Sequence, residues 1–269
     1  MKKASVGIIG CGAIGSEVAF FLEKELSGKT NISVLADIYE EKAQSLREKL
    51  SSRPKIYSLK DTVSKVDLII EAASVDAARC CLKEVYGKKK DIIILSIGAL
   101  IGENEFLRKV QENGTRVWVP SGAICGVDGL GALSMGKIQS IKLITSKPPA
   151  GLIGASYLEE NKIDLSCLTE EKIIFKGGVK EAISCFPRNI NVAATLLLAS
   201  SSEKVEVIIK ADPQLKRNIH RIEIKSSHAS VAIEVQNIPS KNNPKTSALA
   251  ILSTQYLLKK MFSSLKIGS

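Results

Sequence analysis

Ala4-Ser5-Val6-Gly7-Ile8-Ile9-Gly10-Cys11-Gly12-Ala13-Ile14-Gly15 is the stretch from which the rest of the chain is read. Ala4 to Ile9 is a short apolar strand. The segment Ala13 to Leu26 beyond the glycines carries Val18, Phe21, Leu22 and Leu26 at helical spacing. Strand, glycine turn, helix is the order a dinucleotide site requires. Gly10 permits the tight turn, Gly12 lets a pyrophosphate approach the backbone, and Gly15 lets the helix lie close to the sheet. The first helical turn, with Ala13 and Ile14, then offers free N–H groups and partial positive charge to phosphate oxygens. The glycine spacing alone is a weak signal, and its strand–helix setting gives it weight.

Outward from the turn, a second strand from Ile32 to Ala36 ends in Asp37, about 20 residues beyond Gly15. A carboxylate there accepts hydrogen bonds from the adenosine ribose hydroxyls and repels a 2′-phosphate. The expected cofactor is NAD, with NADP a possible substitute. Glu40 to Leu50 is helical in composition. Asp67 to Ala73 and Asp91 to Ser96 are further apolar strands, each followed by a helical pattern. Such alternation predicts an α/β fold, a Rossmann-type doubly wound parallel sheet buried on both faces.

After Val117-Trp118-Val119-Pro120 the texture changes, and the glycine-rich stretch Ser121 to Gly131 marks a boundary. Val205 to Lys210, Arg221 to Lys225 and Ser230 to Val235 alternate apolar and polar residues, as expected of a sheet with one covered face. The expectation is a dinucleotide-binding domain over 1–120 and a second α/β domain over 121–242 with a largely antiparallel or mixed sheet. Residues 243–269 then supply a C-terminal helix, Thr246 to Phe262, packing back on the first domain.

The 269 residues are 45% hydrophobic and 25% charged, an ordinary globular balance. A net charge of +10 suits an anionic partner. The densest basic run, Lys88-Lys89-Lys90, reads as a solvated loop between a helix and a strand. No aromatic-interleaved basic stripe accompanies it, so nucleic acid is not expected as a partner. Apolar runs such as Ile92 to Leu95 are far shorter than a membrane span, and the N-terminal apolar stretch is broken by glycines too soon for a signal peptide. Six cysteines (Cys11, Cys80, Cys81, Cys125, Cys167, Cys185) show no metal-ligand spacing. They read as reduced and mostly buried in a cytoplasmic protein without a metal.

Only two histidines are present, and each is weighed as a proton acceptor near neutral pH. His228 lies in a hairpin turn, Ser226 to Ala229, where solvation is the simpler reading; by position alone His220 is evenly balanced. Asn189 and Asn191 precede an apolar helix, where asparagine is more often a cap than a ligand. Asn243-Pro244-Lys245-Thr246-Ser247 reads as a helix start.

Taken in order, Gly10 to Gly15, Glu71-Ala72-Ala73-Ser74, Leu95-Ser96-Ile97-Gly98-Ala99, Ser121-Gly122-Ala123-Ile124, Phe186 to Thr195, Asn218-Ile219-His220 and Asn243 to Ser247 resemble the L-aspartate dehydrogenase family along nearly the whole chain. The last three together are the specific part. The resemblance implies that His220 is the active-site residue and that Ala123 and Asn189 touch the dinucleotide. It implies a homodimer and a small dicarboxylic amino acid as substrate. The implied reaction converts L-aspartate to iminoaspartate, which hydrolyses to oxaloacetate and ammonia or passes to quinolinate synthase in NAD biosynthesis. Lys147-Pro148-Pro149-Ala150-Gly151 looks like a variable segment of that family and receives no role. Homoserine dehydrogenases, dihydrodipicolinate reductases and sugar-type oxidoreductases share the two-domain plan, and a non-catalytic dinucleotide sensor is a further alternative.

Overall fold

The computed structural model describes residues 2–186, 191–241 and 243–268. The chain forms two compact units. One runs up to Pro120 and includes Ile251–Lys266; the other is Ser121–Ala250 with the last residues from Ile267.

In the first unit the elements are β1 (Ala4–Ile9), α1 (Ala13–Glu25), β2 (Thr30–Ala36), α2 (Glu40–Lys49), β3 (Lys55–Ile56), α3 (Leu59–Lys65), β4 (Leu68–Glu71), α4 (Val75–Val85), β5 (Asp91–Ile94), α5 (Asn104–Glu112) and β6 (Arg116–Trp118). The strands form one parallel sheet in the order β3-β2-β1-β4-β5-β6. Val6, Ile8, Leu35, Ile70 and Ile93 point to one face, against Val18 and Leu22 of α1 and Leu46 of α2. The intervening residues point the other way: a Cβ on Gly7 would meet Thr62 and Val66 beside α3. Both faces are therefore covered, which is why Ile69, Ile70, Ile92 and Ile93 are all fully buried. Each such side chain contributes roughly 1.5–3 kcal/mol relative to exposure.

One feature of this unit differs from the sequence reading. Lys90 is not a solvated loop residue: its ammonium donates to the carbonyls of Ser64 (2.8 Å) and Val66 (2.6 Å), tying the entry of β5 to the turn before β4. At the sheet edge, Arg116 pairs with Asp91 at 2.6 Å and lies 5.8 Å from the Trp118 ring centroid. The Trp118 indole N–H is buried with no hydrogen-bond partner among the described residues.

The second unit contains α6 (Val127–Ser134), β7 (Ile138–Lys147), α7 (Ser156–Glu160), β8 (Lys172–Gly178), α8 (Val179–Cys185), α9 (Asn191–Ser200), β9 (Val205–Ala211), β10 (Ile219–Ser226), β11 (Ser230–Gln236), β12 (Pro239–Ser240) and β13 (Asn243–Ser247). Its sheet order is β11-β10-β7-β9-β8, mixed because β7 and β9 run parallel while the other neighbours are antiparallel. One face carries Ile141, Leu143, Ile222, Ile224, Val205 and Val207 into a core shared with α6, α8 and α9.

The last helix, α10 (Ala248–Met261), starts later than its composition suggests. Asn243–Ser247 is not a helix start but the strand β13, paired with β12. Pro244 biases the residue before it toward extended backbone. The helix is capped instead by Ser247, whose hydroxyl accepts the Leu249 N–H at 3.2 Å. From Ile251 onward this helix belongs to the first unit, where Leu258 is fully buried in the core. The cysteines are all free, but Cys80, Cys125 and Cys167 are exposed, so only Cys11 and Cys81 fit the expectation of burial. Cys80 lies on the outward side of α4, and the other two exposed thiols sit in loops. Among the described residues no helix is long and apolar enough to cross a membrane.

Candidate active site

The glycine turn of the first unit is shaped by what cannot be added to it. Gly10 has φ +96°, and a Cβ there would lie 2.5 Å from the Ala72 carbonyl oxygen. A Cβ on Gly15 would collide with the Gly10 carbonyl oxygen. Gly12 is different: its backbone is ordinary, and a Cβ on it would meet nothing within 4 Å. The space it leaves lies at the N-terminus of α1, where Gly12 is the cap residue and no side chain caps the helix. The N–H groups of the first turn, Ala13 and Ile14 among them, have no partner within the helix itself. Open space, helix-end N–H groups and absent side chains suit a pyrophosphate.

Asp37 stands at the end of β2 and faces this turn. Its Oδ2 accepts the Cys11 N–H at 2.7 Å and its Oδ1 the Tyr39 N–H at 2.9 Å. The carboxylate thus braces the turn and is held in one orientation, with lone pairs left for ribose hydroxyls. Gly10, Gly12, Asp37, Ile38, Ala73 and Ser74 line a cavity of about 260 Å³. Cys11 is inert here: burial, with the nearby Asp37 charge, pushes its thiol up to about 12.

Ala73 and Ser74 of that lining follow Glu71, which ends β4 and is fully buried. It accepts from the N–H groups of Ala73 (2.8 Å) and Ser96 (3.0 Å) and from the Ser96 hydroxyl (2.8 Å). Burial pushes its carboxyl above the usual range, and these donors pull the other way. One side chain therefore joins the loops after β4 and β5.

In the second unit, antiparallel register sets His220 of β10 directly opposite Thr145 of β7. The imidazole Nδ1 lies 3.0 Å from the threonine Oγ1. Strand alternation puts Lys147 on the same face, two residues further along β7. His220 and Lys147 are 5% and 7% exposed, unusual for ionisable groups. Burial holds the Lys147 ammonium down to about 8, and burial together with the Lys147 charge holds the imidazole down to about 3. At neutral pH the lysine is charged and the histidine is not.

Lys147, Lys216, Arg217, Asn218, Asn237 and Ser247 are among the residues around a cavity of about 680 Å³. His220 is not in its lining; Lys147 and Asn218, each two positions from the Thr145–His220 pair, are. Asn237 organises the wall: its Nδ2 donates to the Ala123 carbonyl at 3.1 Å, and its Oδ1 accepts the Ser247 hydroxyl. That bond fixes Ala123 in the turn leading to α6. Asn189 lies outside the described residues. His228 is exposed in its hairpin turn, with the Ser227 hydroxyl 2.9 Å from its Nδ1.

The segment Lys147 to Gly151, given no role from sequence, supplies part of this cavity. Thr145, Lys147 and Asn237 were likewise missed. A signal was present: Ile141, Leu143, Thr145 and Lys147 share one phase of β7, which puts a lysine in line with core residues. Among the described residues, no group of three or more His, Cys, Asp or Glu is placed to hold a metal ion.

Comparison with known proteins finds matches in both parts of the chain. Residues 10–120 match the family model "Homoserine dehydrogenase, NAD binding domain", and residues 128–261 match "Aspartate dehydrogenase, C-terminal". The chain is 38% identical over 270 residues to L-aspartate dehydrogenase of Methanosarcina acetivorans, covering 98% of this chain and 99% of the relative. With L-aspartate dehydrogenase of Nitrosopumilus maritimus the identity is 37% over the full length of both. The crystal structure of aspartate dehydrogenase from Thermotoga maritima superposes with a TM-score of 0.74 at 28% identity, covering 99% of this chain and 100% of that one.

Proposed function

The chain belongs to the L-aspartate dehydrogenase family, and from that premise we propose that it oxidises L-aspartate to iminoaspartate with NAD as the preferred acceptor. The observation that carries the proposal is the Thr145–His220 pair beside a cation-lined cavity, in the unit that matches the aspartate dehydrogenase C-terminal model.

The chemistry a bound nicotinamide ring supplies is acceptance of the hydride from Cα. The remaining work is to hold two carboxylates and to manage the protons on nitrogen. Aspartate arrives with its amine largely protonated, so a neutral imidazole is the form needed. His220 acts at Nε2, in the tautomer whose Nδ1–H donates to Thr145 Oγ1. His220 Nε2 takes one proton from the substrate ammonium, which frees the nitrogen lone pair to close the C=N bond as Cα loses its hydride. Water then converts the imine to oxaloacetate and ammonia. Gly10, Gly12, Ala13, Ile14 and Gly15 would hold the pyrophosphate and Asp37 the adenosine ribose; the family resemblance adds Ala123 and Asn189 as dinucleotide contacts. The iminoaspartate feeds NAD biosynthesis through quinolinate synthase and the enzyme works as a homodimer, both on the strength of the family resemblance; a cytoplasmic location rests on reading the cysteines as reduced.

The test is NAD reduction measured across a panel of amino acids that includes aspartate and homoserine, with the reverse reaction from oxaloacetate and ammonium. Aspartate is expected to lead the panel. Oxidation of homoserine without aspartate would move the chain to the homoserine-type chemistry suggested by its first unit. Tight NAD binding with no turnover would make it a sensor.

A further inference from the structure

The glycine turn of the first unit leans on a peptide from another loop. A Cβ at Gly10 would lie 2.5 Å from the Ala72 carbonyl oxygen and 2.8 Å from the Ala73 nitrogen, so the turn and the Ala72–Ala73 peptide are in direct contact. The Ala72 N–H donates to the Ile9 carbonyl at 2.8 Å, which joins the end of β1 to the same loop. Ala72, Ala73 and Ser74 line the 260 Å³ cavity together with Gly10, Gly12 and Asp37. Where that peptide sits therefore decides the width of the cavity at the turn.

Glu71 holds the peptide, and its two oxygens serve different loops. Oε1 accepts the Ala73 N–H at 2.8 Å, in the loop after β4; Oε2 accepts the N–H groups of Ser96 at 3.0 Å and Leu95 at 3.3 Å, after β5. The Ser96 hydroxyl donates to Oε1 at 2.8 Å and ties the two together. Every one of these partners is a donor, and none is a cation. A carboxyl buried on such terms costs stability, whereas an aliphatic residue like its neighbours Ile69 and Ile70 would fill the place without that cost.

We propose that Glu71 is a positioning residue of the dinucleotide site, fixing through the Ala73 N–H the peptide against which Gly10 rests. The assignment builds on the reading of that cavity as the dinucleotide site. Glu71 is fully buried and is not among the described lining residues, so it acts through main chain and not by touching the cofactor. The arrangement needs an acceptor at both oxygens. An amide offers one acceptor and one NH2 group. With the NH2 at the Oε2 position it opposes two N–H groups; at the Oε1 position it opposes one and can donate to the Ser96 hydroxyl. Glu71→Gln thus keeps the loop after β5 and releases the Ala73 N–H.

ADP-ribose, the cofactor without its nicotinamide, is the probe, titrated calorimetrically into the full-length protein beside NADH. Glu71→Gln should weaken both by about 10-fold, the scale of one lost hydrogen bond, and the KM for NAD should rise by more than kcat falls. Succinate, a dicarboxylate without the amine, serves as a competitive inhibitor against aspartate and reports on the second unit; at saturating NADH its inhibition constant should stay within a few-fold of wild type. Ser96→Ala, which leaves Ala73 on Oε1, should change ADP-ribose affinity by less than about 3-fold. Unchanged ADP-ribose affinity in Glu71→Gln overturns the proposal. So does a fall in the number of binding sites per molecule with the affinity of the remainder unchanged, the signature of a merely structural role. Amide exchange in the wild type needs no variant to fold: the Ala73 N–H should be protected without cofactor, and free exchange there overturns the proposal as well. Wild-type protein that binds neither ADP-ribose nor NADH removes the dinucleotide reading itself.

Discussion

In the first unit the proposed dinucleotide site is main chain: N–H groups at the start of α1 and the space left where Gly12 has no side chain. In the second unit the proposed site is made of side chains, two of which, Lys147 and His220, are ionisable and almost fully buried. A backbone site is indifferent to the residues between its glycines and intolerant of an added Cβ. A buried side-chain site tolerates small steric change and is sensitive to charge. The first kind binds any group of the right shape and sign, which suits a shared cofactor. The second discriminates, because fixed side-chain charges and hydrogen-bonding groups penalise a ligand of the wrong pattern.

If that division is right, removing the imidazole has the largest effect and stays confined to turnover. His220→Ala should lower kcat by roughly 10²–10⁴-fold, the usual range for general acid–base catalysis, with NADH affinity intact. Steady-state kinetics with a parallel NADH titration checks it, and an equal loss in both would erase the distinction between the units. Gly12→Val fills the open space at the helix end without straining a backbone that any residue can adopt. The KM for NAD should rise by roughly 10²-fold while succinate binding is retained. A smaller change, about 10-fold, is expected in the ratio of NAD to NADP use for Asp37→Ser, since one charged hydrogen-bond acceptor is lost and a 2′-phosphate is no longer repelled. An unchanged ratio would reduce Asp37 to the brace on Cys11.

A different kind of effect lies in stability against pH. Lys147 binds its proton less tightly in the folded protein, at about 8, than its ordinary value of 10.5. The native state gives up that proton first, so stability is gained as pH rises from about 8 to 10.5 and is lost as pH falls back through 8. The gain is at most about 3 kcal/mol, and chemical denaturation at the two ends of that range should detect it. Lys147→Met should flatten the rise; an identical rise in the variant would mean that other groups cause it.

The same division explains what could be read in the sequence. Gly10 to Gly15 is one contiguous run, so spacing alone locates the turn, and Asp37 follows from its place at the end of β2. The parallel sheet follows from apolar strands such as Leu68–Glu71 and Asp91–Ile94, which both faces of the sheet bury. The second site depends on register between β7 and β10, which brings residues 145 and 220 together, and no local pattern encodes a register. His220 was reached only through resemblance, and Lys147 was missed. Asn243 to Ser247 misled because serine, proline and asparagine serve helix caps and short strands alike, and pairing with Pro239–Ser240 decides between them. Lys90 misled because its neighbours Lys88 and Lys89 suggest solvent, whereas two carbonyls hold its ammonium.

Trp118 is the one tryptophan in the chain, and it sits on β6, the edge strand of the first unit's sheet. Indole emission therefore comes from that unit alone, and melting of the second passes unseen in the same channel. Fluorescence and circular dichroism, recorded on one unaltered sample, would give separate unfolding curves for the two units if they melt apart, with no label attached.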